Sequence, residues 1–137
     1  MEKQIFPASI SNLDRIMDYY RKILTVSGIS HPHAKKFELA LEEATVNIIS
    51  YAYQTPEGMI EIEYKIKNDS QELIIILKDS GKPFNPCNDE EFITPTTLSS
   101  QNIGGLGIHF MKNLVDKIEY SYSDKKNILT LTKNINP

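Results

Sequence analysis

Residues 59–84 read MIEIEYKIKNDSQELIIILKDSGKPF. Residues 59–67 alternate apolar and charged side chains, the period-two pattern of a strand with one buried face. Asn68-Asp69-Ser70 is turn chemistry, because short polar side chains bond their own backbone and tolerate tight bends. Residues 72–78 (ELIIILK) form a more buried strand, and a hairpin between the two is the natural pairing. The apolar pattern then stops at Asp79-Ser80-Gly81. A carboxylate at the end of a buried strand can accept a hydrogen bond from an exocyclic amine such as that of adenine. Gly81, lacking a Cβ, lets the backbone approach a flat ring closely. A plain D-S-G turn would have the same sequence.

Upstream, residues 4–8 (QIFPA) suit a short edge strand, with Pro7 near its end. Ser11 is the expected N-cap of a helix running to Ser27, where Gly28 stops it. Leu13, Ile16, Met17, Tyr20, Ile23 and Leu24 fall at helical spacing along it. A second helix is expected from His31-Pro32-His33 to about Tyr53, with Phe37, Leu41, Ala44, Ile48 and Ala52 as its apolar stripe. Downstream, residues 79–104 hold Pro83, Pro86 and Pro95 and show no periodicity, and a loop so long is usually functional or disordered. A third helix is expected from Leu106 to Lys117, then strands at 118–123 and 127–133 joined by Asp124-Lys125-Lys126. The order β-α-α-β-β-loop-α-β-β predicts an α+β two-layer sandwich, with helices on one face of a mixed, mostly antiparallel sheet.

Composition bounds what such a chain can do. With 137 residues, 40% of them hydrophobic, it reads as one domain spanning 1–137. A net charge of −3 argues against a large nucleic-acid footprint. The longest apolar run, Leu73–Leu77, is far too short to span a bilayer, and MEKQIFPASISNLD at the N-terminus contains no signal-peptide core. Cys87 is the single cysteine, so no intrachain disulfide can form. A soluble cytoplasmic protein is the expectation.

Two further stretches carry chemistry. Glu43 and Asn47 are four residues apart on the second helix and so share a face, at the flank of the apolar stripe. A carboxylate beside an amide oxygen can hold Mg²⁺ or a water, and the carboxylate can take a proton from a hydroxyl. A solvated helix surface would also present this pair. Gly104-Gly105-Leu106-Gly107 opens the third helix. Helix N-termini expose unpaired N–H groups that favour phosphate, and three glycines remove the Cβ atoms that would hold phosphate away. A flexible hinge is the other reading of these four residues, and no G-K-[ST] follows to make a P-loop.

Taken together, LALEEATVNIISYAY, LKDSGKPFNP and GGLGIHFMKNLVDKIEY resemble the N, G1 and G2 boxes of the GHKL ATPases, in the same order. More narrowly they are similar to the stand-alone anti-sigma-factor serine kinases. The resemblance covers residues 10–133 and implies a Bergerat α/β sandwich that binds ATP and Mg²⁺. It makes Asn47 the Mg²⁺ ligand, Glu43 the general base, and Asp79 the reader of the adenine amino group, with Gly81 against the ring. Gly104, Gly105, Leu106 and Gly107 would line the phosphates, and residues 85–104 would be the ATP lid. The implied reaction phosphorylates a serine or threonine on an anti-anti-sigma protein of the STAS type. That partner competes with a sigma factor, and the kinase is a homodimer in such families. A binding module that holds ATP and sequesters a partner without transfer is the alternative. It is suggested by one departure: no Lys or Arg lies between Lys82 and Lys112, and Ile103 stands where these kinases carry a basic residue. His31 and His33 show no metal-ligand pattern. His109, in the first turn after Gly107, could approach a phosphate, but a structural or exposed histidine is the expectation.

Overall fold

The computed structural model describes residues 2–52, 58–83 and 111–136. Strand β1 (Glu2–Pro7) leads through one 3₁₀ turn at Ile10–Asn12 into helix α1 (Leu13–Ser27) and helix α2 (His31–Asn47). Strands β2 (Met59–Lys67) and β3 (Glu72–Asp79) form the expected hairpin, and β4 (Lys117–Ser123) and β5 (Lys126–Asn134) form a second. The strands lie in the order β1-β2-β3-β5-β4. All four pairings are antiparallel, so among the described residues the sheet has no parallel pair, where a mixed sheet was expected.

The apolar pattern decides which face the helices cover. On β3, Leu73, Ile75 and Leu77 are fully buried, and across the register they meet Ile62 of β2 and Leu129 and Leu131 of β5. Helix α1 adds Ile16, Met17, Tyr20, Ile23 and Leu24, and α2 adds Phe37, Ala40, Leu41 and Ala44. Each fully buried large apolar side chain contributes about 1.5–3 kcal/mol. The opposite face carries Glu61, Glu63 and Lys78, with the Lys78 ammonium 3.2 Å from Glu63 and 3.8 Å from Glu61. Such half-exposed pairs are worth about 0–1 kcal/mol, so apolar burial, not charge, sets the layering.

Local chemistry sets the ends of the elements. Gly28 takes the left-handed conformation (φ 76°) that closes α1, a geometry costly for residues with a Cβ. Ser11 is not the N-cap: it lies inside the 3₁₀ turn, and α1 begins two residues later. Asn12 stands at the cap position, but its side chain bonds the Pro7 carbonyl at 3.0 Å instead. The β4–β5 turn needs only Asp124 and Lys125, both at positive φ (53° and 63°), as a two-residue type I′ hairpin demands. Residues 111–114 are helical and the helix ends there, three residues short of expectation, with Lys117 already in β4. Val115 and Asp116 offer no glycine cap. The buried Lys133 ammonium supplies one, donating to the Leu114 carbonyl at 2.8 Å, and the Asp116 amide donates to the Thr132 carbonyl at 2.9 Å.

One buried polar pair ties α1 to α2. The Tyr20 and Thr45 hydroxyls lie 2.7 Å apart, and both residues are fully buried. Burial pushes the Tyr20 phenol well above its usual range, so it stays neutral. Tyr20→Phe would leave the Thr45 hydroxyl in an apolar layer without this partner. The expected cost is about 1–3 kcal/mol. A lower denaturant midpoint at unchanged slope is the check, and an unchanged midpoint would show the pair to be dispensable.

Candidate functional site

Asp79 ends β3 on the helix-covered face, in the register row where Ile60 and Asn127 flank it. It is only 5% exposed. Its Oδ1 accepts the Gly81 amide at 2.9 Å and the Asn127 side-chain amide at 2.9 Å. Both bonds fall on one oxygen, so Oδ2 keeps its acceptor capacity. Burial raises the pKa of the carboxyl, and the Asn127 and Gly81 bonds pull it back down. The Gly81 bond folds the D-S-G turn onto its own aspartate, an Asx-type contact.

Asn127, which the motifs did not single out, organises this corner. It is 4% exposed at the start of β5. Its nitrogen also donates to the Lys82 carbonyl at 2.9 Å and approaches the Gly81 carbonyl at 3.5 Å. Its oxygen accepts the Tyr120 hydroxyl of β4. The sequence signal was faint: an asparagine in phase with Leu129 and Leu131, on the buried face of its strand.

Glu43 and Asn47 lie in the last turns of α2. Asn47 is 4% exposed, and Glu43 is half-buried. Glu43 Oε2 and Asn47 Nδ2 are buried without a hydrogen-bond partner among the described residues. Burial raises the Glu43 pKa, with a smaller push from the neighbouring Glu42 charge. Directly after Asn47 the α-helix gives way to a π-helical turn at Ile48–Ala52, and such wide turns cluster at functional sites. The helix expected to continue to Tyr53 therefore changes type at 48, and Tyr53 lies outside the described residues.

Glu43 and Asn47 stand at the end of α2 and Asp79 at the end of β3, two elements that contribute to one apolar core. Ala44 and Ile48 of the α2 end share one core cluster with Ile60 and Leu77, the inward neighbours of Asp79. Unpartnered buried polar atoms are rare in native proteins and ask for an explanation. An Asn side chain can turn its oxygen outward by a half-rotation of the amide, which gives a hard oxygen donor beside a carboxylate. That donor set fits Mg²⁺, and the open Asp79 acceptor fits an amino group. Gly104, Gly105, Leu106 and Gly107 lie outside the described residues, as does the stretch 85–104. Among the described residues no cluster of three His, Cys, Asp or Glu could hold a metal by itself, and no helix is long and apolar enough to cross a membrane.

Comparison with known proteins gives this geometry a family. The serine-protein kinase RsbW of Bacillus cereus (strain AH187) is 26% identical over 113 residues, covering 80% of this chain and 69% of that protein. The RsbU and RsbW domains of Rv1364c from Mycobacterium tuberculosis superpose with a TM-score of 0.65 at 14% identity, over 98% of this chain. This chain spans a third of that structure. The catalytic domain of the histidine kinase ThkA gives a TM-score of 0.52 at 13% identity, covering 98% of this chain and 97% of that one. At such identities the two structures speak for the shared fold. The model of the histidine kinase-like ATPase domain matches residues 6–133, nearly the full length of the chain. The five-stranded sheet backing α1 and α2, with a buried acid at the end of β3, is thus the GHKL-type sandwich, and the chain belongs to the histidine kinase-like ATPase domain family.

Proposed function

We propose that the chain binds Mg-ATP and phosphorylates a serine or threonine on a STAS-type partner within a partner-switching pathway. The observation that carries this reading is the pair of buried, unpartnered atoms on one face of α2, Glu43 Oε2 and Asn47 Nδ2. A helix surface with no ligand would leave them in water or bonded. In this reading Asp79 accepts the adenine amino group and Gly81 lies against the ring. Asn47 holds Mg²⁺, and Gly104, Gly105, Leu106 and Gly107 surround the phosphates. Bound ATP supplies the γ-phosphoryl group, and Mg²⁺ neutralises its charge. Glu43 takes the proton of the attacking hydroxyl as the new O–P bond forms and ADP leaves. Its raised pKa makes it the better base for that task. The similarity to RsbW supports serine as the acceptor. Residues 1–137 then act as one cytoplasmic domain with a lid at 85–104, pairing as a homodimer for which the unphosphorylated partner and a sigma factor compete.

Isothermal titration tests the metal arm. Asn47→Ala is expected to weaken Mg-ATP binding about tenfold, a loss near 1.4 kcal/mol. Binding measured in EDTA should change little. Equal losses with and without metal would remove Asn47 from the metal site.

A second reading has its own observation. The stretch between Lys82 and Lys112 contains no Lys or Arg. Phosphoryl transfer depends heavily on cations placed at the migrating group. Without one, the chain would hold ATP as a conformational ligand and sequester its partner. Partner phosphorylation that depends on Glu43 separates the two readings.

A further inference from the structure

We propose that Tyr120 is a positioning residue for purine recognition: through Asn127 it keeps one Asp79 oxygen committed to the protein and the other open to a purine amino group. The inference rests on the nucleotide reading above and adds to it a residue on the far edge strand.

Three neighbouring strands build the device. Asp79 of β3 faces Asn127 of β5 directly, and β4, which carries Tyr120, lies on the other side of β5. The Asn127 amide is buried, so the identity of each of its ends matters. Its nitrogen end is surrounded by acceptors: Asp79 Oδ1 and the Lys82 carbonyl at 2.9 Å each, and the Gly81 carbonyl at 3.5 Å. Its oxygen end must therefore face a donor or remain unsatisfied, and the Tyr120 hydroxyl donates to it. Turning the amide over would set its oxygen against a carboxylate and a carbonyl. Asn127 thereby holds both the Asp79 carboxylate and the backbone of the Gly81-Lys82 turn.

The consequence is selective. Adenine presents an amino group at C6, which a free carboxylate oxygen accepts. Guanine presents a carbonyl there, which the same oxygen repels. A carboxylate clamped through Oδ1 offers Oδ2 in one direction only, whereas a loosened one can rotate and reach the guanine 2-amino group as well. Fixing Asp79 therefore raises the ratio of ATP to GTP affinity. Tyr120 contributes to that ratio without touching the base.

The test is a double-mutant cycle on the full chain, with Mg-ATP and Mg-GTP as titrants. Tyr120→Phe keeps the ring and removes the donor. It is expected to lower ATP affinity about fivefold without lowering GTP affinity. Asn127→Ala should lower ATP affinity further, and adding Tyr120→Phe to it should change nothing more. Asn127→Ser takes its place in the cycle if the alanine variant does not fold. An unchanged ATP-to-GTP ratio in Tyr120→Phe, or single losses that multiply in the double variant, overturns the inference and leaves the ATP reading standing. A wild-type chain that binds neither nucleotide overturns the ATP reading and this inference with it.

Discussion

Glu43→Gln should lower phosphoryl transfer to a STAS partner by about 10²–10⁴-fold, the usual share of a positioned general base. Mg-ATP affinity should stay within about twofold, because a base contacts the incoming hydroxyl and not the nucleotide. Glutamine fills the same space, so the half-buried position on α2 is not disturbed. The pH profile gives an independent mark. Only the ionised carboxylate can take a proton. Burial and the Glu42 charge raise its pKa, so transfer should fall on acidification with a midpoint above the ordinary glutamate range. That acid limb should be missing from whatever activity the glutamine variant retains. Label transfer from ATP to the purified partner measures both effects. Wild-type transfer by the variant would take Glu43 out of the chemistry and leave the ATP-holding module as the reading.

Asp79 carries the second large effect. Asp79→Ala should weaken ATP by about 10–100-fold, the worth of a buried hydrogen bond to a charged group. Asp79→Asn should be nearly as damaging, for a countable reason. The proposed site needs two acceptors, one for Asn127 and the Gly81 amide and one for the adenine amine. A carboxylate offers both, but an amide offers one acceptor and one donor. Either the base or Asn127 then meets an N–H. Protonation of Asp79 removes an acceptor in the same way. Its carboxyl pKa is raised by burial, against the opposing Asn127 and Gly81 bonds, so ATP affinity should decline as pH falls through that raised value. Calorimetry of both variants across pH tests this. An asparagine variant that binds ATP like wild type would show that Asp79 does not read the base.

These two residues were legible in the sequence because each is marked locally. Asp79 ends an apolar strand, and Glu43 and Asn47 repeat at one helical turn. The β2–β3 hairpin was equally plain, since its alternation and turn lie within twenty residues of chain. Asn127 was not legible. Its importance comes from facing Asp79 across a pairing of strands 48 residues apart, which no local pattern reveals. The pairing of β3 with β5 rather than β4 is likewise a property of the assembled sheet. Ser11 misled for the opposite reason: its type suits a cap, but a preceding 3₁₀ turn moved the helix start past it. The π turn after Asn47 has no mark in IISYA that propensity would detect.

The register of β3 on β5 has a consequence for how such a chain can change over time. Asp79 closes its strand opposite Asn127, and eight consecutive residue pairs fix that alignment. The two strands are therefore locked to each other by contacts that owe nothing to residues 85–104. The alignment is set by residues 72–79 and 127–134 themselves. A change of length made elsewhere in the chain would therefore leave Asp79 facing Asn127.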